Sequence, residues 1–104
     1  MKKYSFAIEF TLEAEDDLLR LFEYKASNSS IEAAIEARDA ILASIEHIKI
    51  NPYMCPMADN DPAERKLVIP IGRKIGYVAL FSIESETLIY VTAIRHQLEA
   101  DFRR

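Results

Sequence analysis

GYVALFSIESETLIYVTAIRH, Gly76 to His96, is the stretch whose reading decides the fold of this 104-residue chain. Val78 and Leu80 in its first half, and Ile89, Tyr90, Val91 and Ile94 in its second, supply the β-branched, aliphatic and aromatic bulk of strands. Glu84-Ser85-Glu86 lies between the halves as a turn, so the stretch reads as a β-hairpin. A hairpin with one face in water alternates apolar and polar residues. Here Ser82 and Thr92 are the few polar interruptions, so both faces require cover. Helices upstream can cover one; the other is open to a partner.

Working outward, Arg65 to Ile71 reads as a strand in which Leu67, Ile69 and Ile71 alternate with Lys66 and Val68. Pro70 places its end at an edge or a bulge. Gly72-Arg73-Lys74 forms a tight turn into the hairpin. Asn51 to Glu64 carries three prolines and no period, a long loop of the functional or mobile kind. Its Tyr53, Met54 and Met57 are expected to pack down on the helices.

Two amphipathic helices precede that loop. Thr11 stands as N-cap before Leu12 to about Ala26, with Glu13, Glu15 and Asp16 in a first turn that suits the helix dipole. Ala14, Leu18, Leu19, Leu21 and Phe22 predict one buried stripe. After the turn Ser27-Asn28-Ser29-Ser30, Ser29 with Glu32 matches a capping box. Ile31, Ala34, Ile35, Arg38, Ile41, Leu42, Ile45 and Ile48 then keep helical period to about Ile50, before Pro52. The short break predicts an antiparallel αα-hairpin. Tyr4 to Phe10 reads as a first strand, with Phe6, Ile8 and Phe10 on one face. Leu98 and Phe102 make one amphipathic turn before a cationic end. The predicted fold is α+β, in the order β-α-α-β-β-β: one domain over residues 1–104, with an antiparallel sheet packed against the αα-hairpin.

Composition narrows the function classes. Half the residues are hydrophobic and two are Gly, which is globular usage. A net charge of -4 argues against a non-specific nucleic-acid binder. The acidic surplus lies in the first half, whereas Arg65, Lys66, Arg73, Lys74, Arg95, Arg103 and Arg104 allow a local basic face in the second. One cysteine, Cys55, excludes an internal disulfide and suits a reducing compartment. The apolar run before Glu9 is too short for a signal peptide, and no window approaches a membrane span. A soluble, cytoplasmic protein is expected. His47, His96 and Cys55 lack metal-ligand spacing and no Gly-rich phosphate loop exists, so no metal or cofactor is expected.

Arg95-His96, closing the last strand, is the sharpest local feature. Adjacent strand residues point to opposite faces, so the two do not serve one site without a twist or bulge. One reading is a phosphate-binding Arg beside a His acid or base. The other pairs Arg95 with a helix carboxylate and leaves His96 to cap the sheet. Likewise Arg65, Lys66, Arg73 and Lys74 either gather with Arg95 into a basic patch or are solvated charge on a hairpin.

The whole chain resembles the RelE/ParE superfamily of bacterial toxin–antitoxin toxins, closest to its ParE-like, plasmid stabilisation branch. The resemblance is carried by Ala14, Asp17, Leu18 and Tyr24 in the pattern A-x-x-D-L-x-x-x-x-x-Y, by Asn51-Pro52, by Arg65 with Leu67, and by GYVALFSI and VTAIRH. It implies a toxin held inactive, in a hetero-oligomer, by a cognate antitoxin segment that buries the exposed apolar surface around Leu80, Tyr90 and Phe102. RelE-like members cleave mRNA on the ribosome and commonly carry Tyr-Arg-hydrophobic in the penultimate strand. Here that place reads Tyr77-Val78-Ala79, and Phe102 stands where a terminal Tyr is frequent. ParE-like members inhibit DNA gyrase by binding. The resemblance therefore favours a gyrase-binding toxin contacting its target through Arg65, Arg73, Lys74, Arg95 and His96. In the alternative RNA-cleaving reading those same five residues are the catalytic candidates. A third reading is a non-toxic homologue that binds the antitoxin alone.

Overall fold

The order of elements is β1 (Ala7–Phe10), α1 (Leu12–Asn28), α2 (Ile31–His47), a 3-10 turn (Pro52–Met54), β2 (Arg65–Ile71), β3 (Lys74–Ile83) and β4 (Leu88–His96). The computed structural model describes residues 6–59 and 61–99, with Lys74 and Ile75 as backbone alone. The sheet runs β1-β4-β3-β2. β2, β3 and β4 are antiparallel neighbours, as expected for hairpin-connected strands. β1 joins beside β4 in parallel, Ala7 opposite Leu88 and Phe10 opposite Val91, so the sheet as a whole is mixed. A parallel neighbour needs a long crossover; the helical hairpin and the β2–β3 pair provide it.

Thr11 caps α1, its hydroxyl accepting the Ala14 N–H at 3.2 Å. Ser30, rather than Ser29, caps α2: its Oγ accepts the Ala33 N–H at 3.0 Å. Ser29 instead closes α1, donating its backbone N–H to the Lys25 carbonyl. The break between the helices is thus two residues long, and the capping box read at Ser29 and Glu32 does not form. The core lies between these helices and one sheet face. Phe81, Ile69, Ile89, Val91 and Ile94 are fully enclosed there, with Ile41 only 1% exposed. Each such side chain contributes roughly 1.5–3 kcal/mol.

The periodicity misplaces part of the helix surface. Leu19 is 56% exposed and Ile31 is 56% exposed, although both keep the spacing of buried neighbours. Tyr53, Met54 and Met57 are also exposed rather than packed on the helices. Among the described loop residues Pro52 is fully buried, and Tyr53 and Met54 that follow it are exposed.

A β-bulge decides the last strand. Leu80 pairs with Ala93 but Phe81 pairs with Val91, leaving Thr92 as the extra residue. The inward set therefore changes parity, from Ile89 and Val91 to Ile94 and His96. A bulge absorbs one residue and re-aims those after it. Thr92 is held there by donating its hydroxyl to the Glu64 carboxylate at 2.5 Å.

Candidate functional site

The bulge places the two residues closing β4. His96 faces the helix side, opposite Tyr77, with the rings edge-on at 5.3 Å. Arg95 pairs with Val78 on the other face and donates from its guanidinium to the Glu99 carbonyl. The divergence expected of strand neighbours holds, and the structure does not bring Arg95 and His96 into one site.

His96 is tied into the turn that follows. Its Nδ1 accepts the Leu98 N–H at 3.1 Å, and its own N–H goes to the Glu99 carboxylate at 2.7 Å. The same carboxylate accepts from Arg20 of α1 at 3.0 Å. The 97–99 turn is thereby fastened to α1, and between them lies a cleft of about 440 Å³ lined by Arg20, Tyr24, Lys25, Tyr77, His96 and Leu98. Burial pushes the Tyr77 phenol above its ordinary range.

Arg65 begins β2 on the helix-facing side, in line with Leu67 and Ile69. Its guanidinium donates to the Cys55 carbonyl at 2.7 Å and stands 5.2 Å above the Tyr53 ring. It pins the proline-rich loop to the sheet. Arg73 is exposed in the β2–β3 turn, where Gly72 takes φ 60. Lys74 opens β3 beside it. Arg65 and Arg95 are thus separated by the thickness of the sheet and by three residues along β3, about 10 Å. Arg73, Lys74 and His96 lie toward one end of the sheet; Arg65 lies away from them.

Leu80 and Tyr90 are half-buried on the face carrying Arg95, where Val68 is 49% exposed. Phe102, grouped with them from sequence, lies outside the described residues.

Cys55 reports on the Arg65 contact. Burial raises its thiol pKa, and the positive charge of Arg65 partly offsets the rise. A thiol held protonated in the fold contributes stability below its ordinary value of 9.0 that is lost as pH rises through the raised value. Alkylation by iodoacetamide is accordingly expected to be slow at neutral pH, with a rate midpoint above 9.0. A midpoint at or below that value in a pH–rate profile contradicts the burial of this thiol.

Two groups escaped notice as site-builders. Asp17 is 6% exposed, and its carboxylate accepts the Ile94 N–H at 2.9 Å. β1 ends opposite Val91, so past that point Asp17 replaces the missing strand's acceptor along β4. An acid three residues after a wholly buried Ala14 and four before Leu21 was the available signal. Glu99, organising the final turn, carried none. Among the described residues no cluster of His, Cys, Asp and Glu has the makings of a metal site. No helix there is long and apolar enough to cross a membrane.

Comparison with known proteins agrees with this architecture. A solved structure of the chromosomal ParDE TA system from P. aeruginosa superposes with a TM-score of 0.76, covering 88% of this chain and 96% of that one at 16% identity. At that identity the likeness shows the fold. No curated protein matches the sequence. The sequence model described as ParE toxin of type II toxin-antitoxin system, parDE, matches residues 8–100, from the first strand through the turn closing β4. With both helices, β2 to β4, all of β1 but Ala7, and the Asp17 and bulge positions inside that match, the chain belongs to the ParE toxin family of type II toxin–antitoxin systems.

Proposed function

We propose that this toxin inhibits DNA gyrase by binding it, and that a cognate antitoxin neutralises it by covering the sheet face around Leu80 and Tyr90. The observation carrying this reading is the dispersal of the candidate cations. RNA cleavage requires a base for the attacking 2′-hydroxyl, a cation on the phosphate and an acid for the leaving oxygen, all within hydrogen-bond reach. Arg65 is spent on the Cys55 carbonyl on one face, while Arg95 is engaged with Glu99 on the other. Val78, where RNA-cleaving relatives commonly carry arginine, is 4% exposed and has no ionisable group. A surface of this kind supports recognition rather than phosphoryl transfer.

The test is a supercoiling assay with purified toxin. Inhibition that the cognate antitoxin reverses is the expected result, and unaffected gyrase at high toxin excess overturns the proposal. A parallel translation reaction checks the alternative. Cut mRNA, lost on Arg65→Ala or Arg95→Ala, would put RNA cleavage in its place.

A further inference from the structure

The cleft between α1 and the final turn is lined by hydrogen-bond donors that the fold leaves unspent. Tyr77 is only 4% exposed, yet its hydroxyl has no hydrogen bond among the described residues. Enclosing a hydroxyl without a partner is costly. This one keeps some contact with solvent. The other space that Tyr77 borders, between α1 and α2, is walled by carbon alone. The hydroxyl therefore opens on the cleft. His96 stands beside it, and its Nδ1 accepts the Leu98 N–H. That bond puts the proton of the neutral ring on Nε2, which donates to no described residue. Lys25, in the last turn of α1, makes no ion pair among the described residues.

Acceptors are what the cleft lacks. Both oxygens of Glu99 are engaged, one by the His96 N–H and the other by Arg20. Arg20 is in turn spent on Asp17 and Glu99. The lining thus carries two cations, Arg20 and Lys25, against one carboxylate, a local positive surplus in a chain of net charge -4. The walls above these groups are apolar. Tyr24 from α1 and Leu98 from the turn are 68% and 73% exposed, and Leu21 is buried beneath them. A cleft of about 440 Å³ has the size of a small-molecule site. It is too small for the roughly 20–30 residues a side that a stable protein interface uses.

We propose that this cleft binds a small aromatic carboxylate. The ring lies between Tyr24 and Leu98 against the Tyr77–His96 pair, where aromatic edges and faces pack favourably. The carboxylate takes the Lys25 ammonium, the Tyr77 hydroxyl and His96 Nε2, supplying the acceptors that the fold withholds. A monoanion matches a surplus of one positive charge, whereas a phosphate dianion exceeds it. The guanidinium that would suit a phosphate, that of Arg20, is already held by two carboxylates. The proposal does not rest on the gyrase reading, because ligand binding and supercoiling are measured separately on the same toxin.

The experiment is isothermal titration calorimetry of the intact protein with indole-3-acetate as probe and indole-3-acetamide as its uncharged twin. The acid is expected to bind at least about tenfold more tightly, and less so as salt rises. Lys25→Gln should remove that advantage, and Tyr77→Phe should weaken the acid about three- to tenfold. Neither polar group bonds to a described residue, so the fold tolerates both changes, and circular dichroism checks this. Lys49→Gln, at the far end of the helical hairpin, makes the same change in net charge as Lys25→Gln and should keep the advantage. Equal affinity for acid and amide overturns the proposal, as does the lack of saturable heat at millimolar probe. So does an advantage lost equally in Lys49→Gln, which reduces it to bulk attraction, or an affinity that Tyr77→Phe leaves unchanged. Indoxyl phosphate, the same ring with a dianionic head, is titrated alongside. Tighter binding of it than of the acid would assign the cleft to phosphate monoesters and overturn the proposal as well.

Discussion

Asp17→Ala is expected to lower the unfolding free energy by about 3 kcal/mol, near the upper end for a single hydrogen-bonding group. The carboxylate is almost fully enclosed and accepts the backbone N–H of Ile94, a residue with no exposed surface. Truncation removes a charge-assisted bond and strands that N–H in the core, where no water reaches it. The neighbouring Arg20 contributes little: its nitrogen is 3.7 Å away and its side chain is 48% exposed. Asp17→Asn keeps an oxygen acceptor and is expected to lose about half as much. Urea denaturation followed by circular dichroism measures both. If Asp17→Ala falls within about 0.5 kcal/mol of the parent, the bond contributes nothing net to stability.

Gly76→Ala is expected to be at least as damaging, with a loss above about 3 kcal/mol or failure to accumulate as soluble protein. A Cβ built there would lie 1.9 Å from the Ile69 carbonyl oxygen and 3.0 Å from the Ile71 nitrogen. Both are backbone atoms, so no rotamer change relieves the clash. The cause is the irregularity at Pro70, where the β2–β3 register shifts between Ile69 and Ile71 and brings β2 against β3. Gly76 is also bound on its other side, its N–H to the Gln97 amide oxygen at 2.7 Å and its carbonyl from the Gln97 N–H at 2.9 Å. It has nowhere to retreat. Gly72→Ala provides the comparison: it meets nothing within 4 Å but sits at φ 60, and should cost only about 1 kcal/mol. Equal urea midpoints for the two variants would show that β2 yields at Pro70.

The helix surface shows where sequence reading reached its limit. Ala14, Leu21, Ile41, Ile45 and Ile48 were legible as core because their period meets a sheet. Leu19, Ile31 and Ile35 have the same period but face away from it. Periodicity reports that a stripe is apolar, not what covers it. A helix with two apolar seams reads like one with a single wide one until its neighbours are placed.

The candidate site divides in the same way. Arg95 and His96 were predicted to diverge, and they do, because backbone pleat alone dictates it. Which of them faces the helices was not legible, since one extra residue at Thr92 inverts the answer. Arg65 read as a free cation until the folded loop brought the Cys55 carbonyl to 2.7 Å.

By itself, then, the stretch Gly76 to His96 determined a hairpin and its strand pair, because those follow from side-chain chemistry and a two-residue repeat. The two helices, the N-cap at Thr11 and the order of elements were equally local. Only the tertiary structure decided the parallel docking of β1, the bulge parity and the partnership of Asp17 with Ile94 across 77 residues. It also decided that Leu19, Ile31 and Ile35 face outward. Each of these depends on which backbone groups and apolar surfaces remain unmatched once the strands have paired, and that remainder exists only in three dimensions.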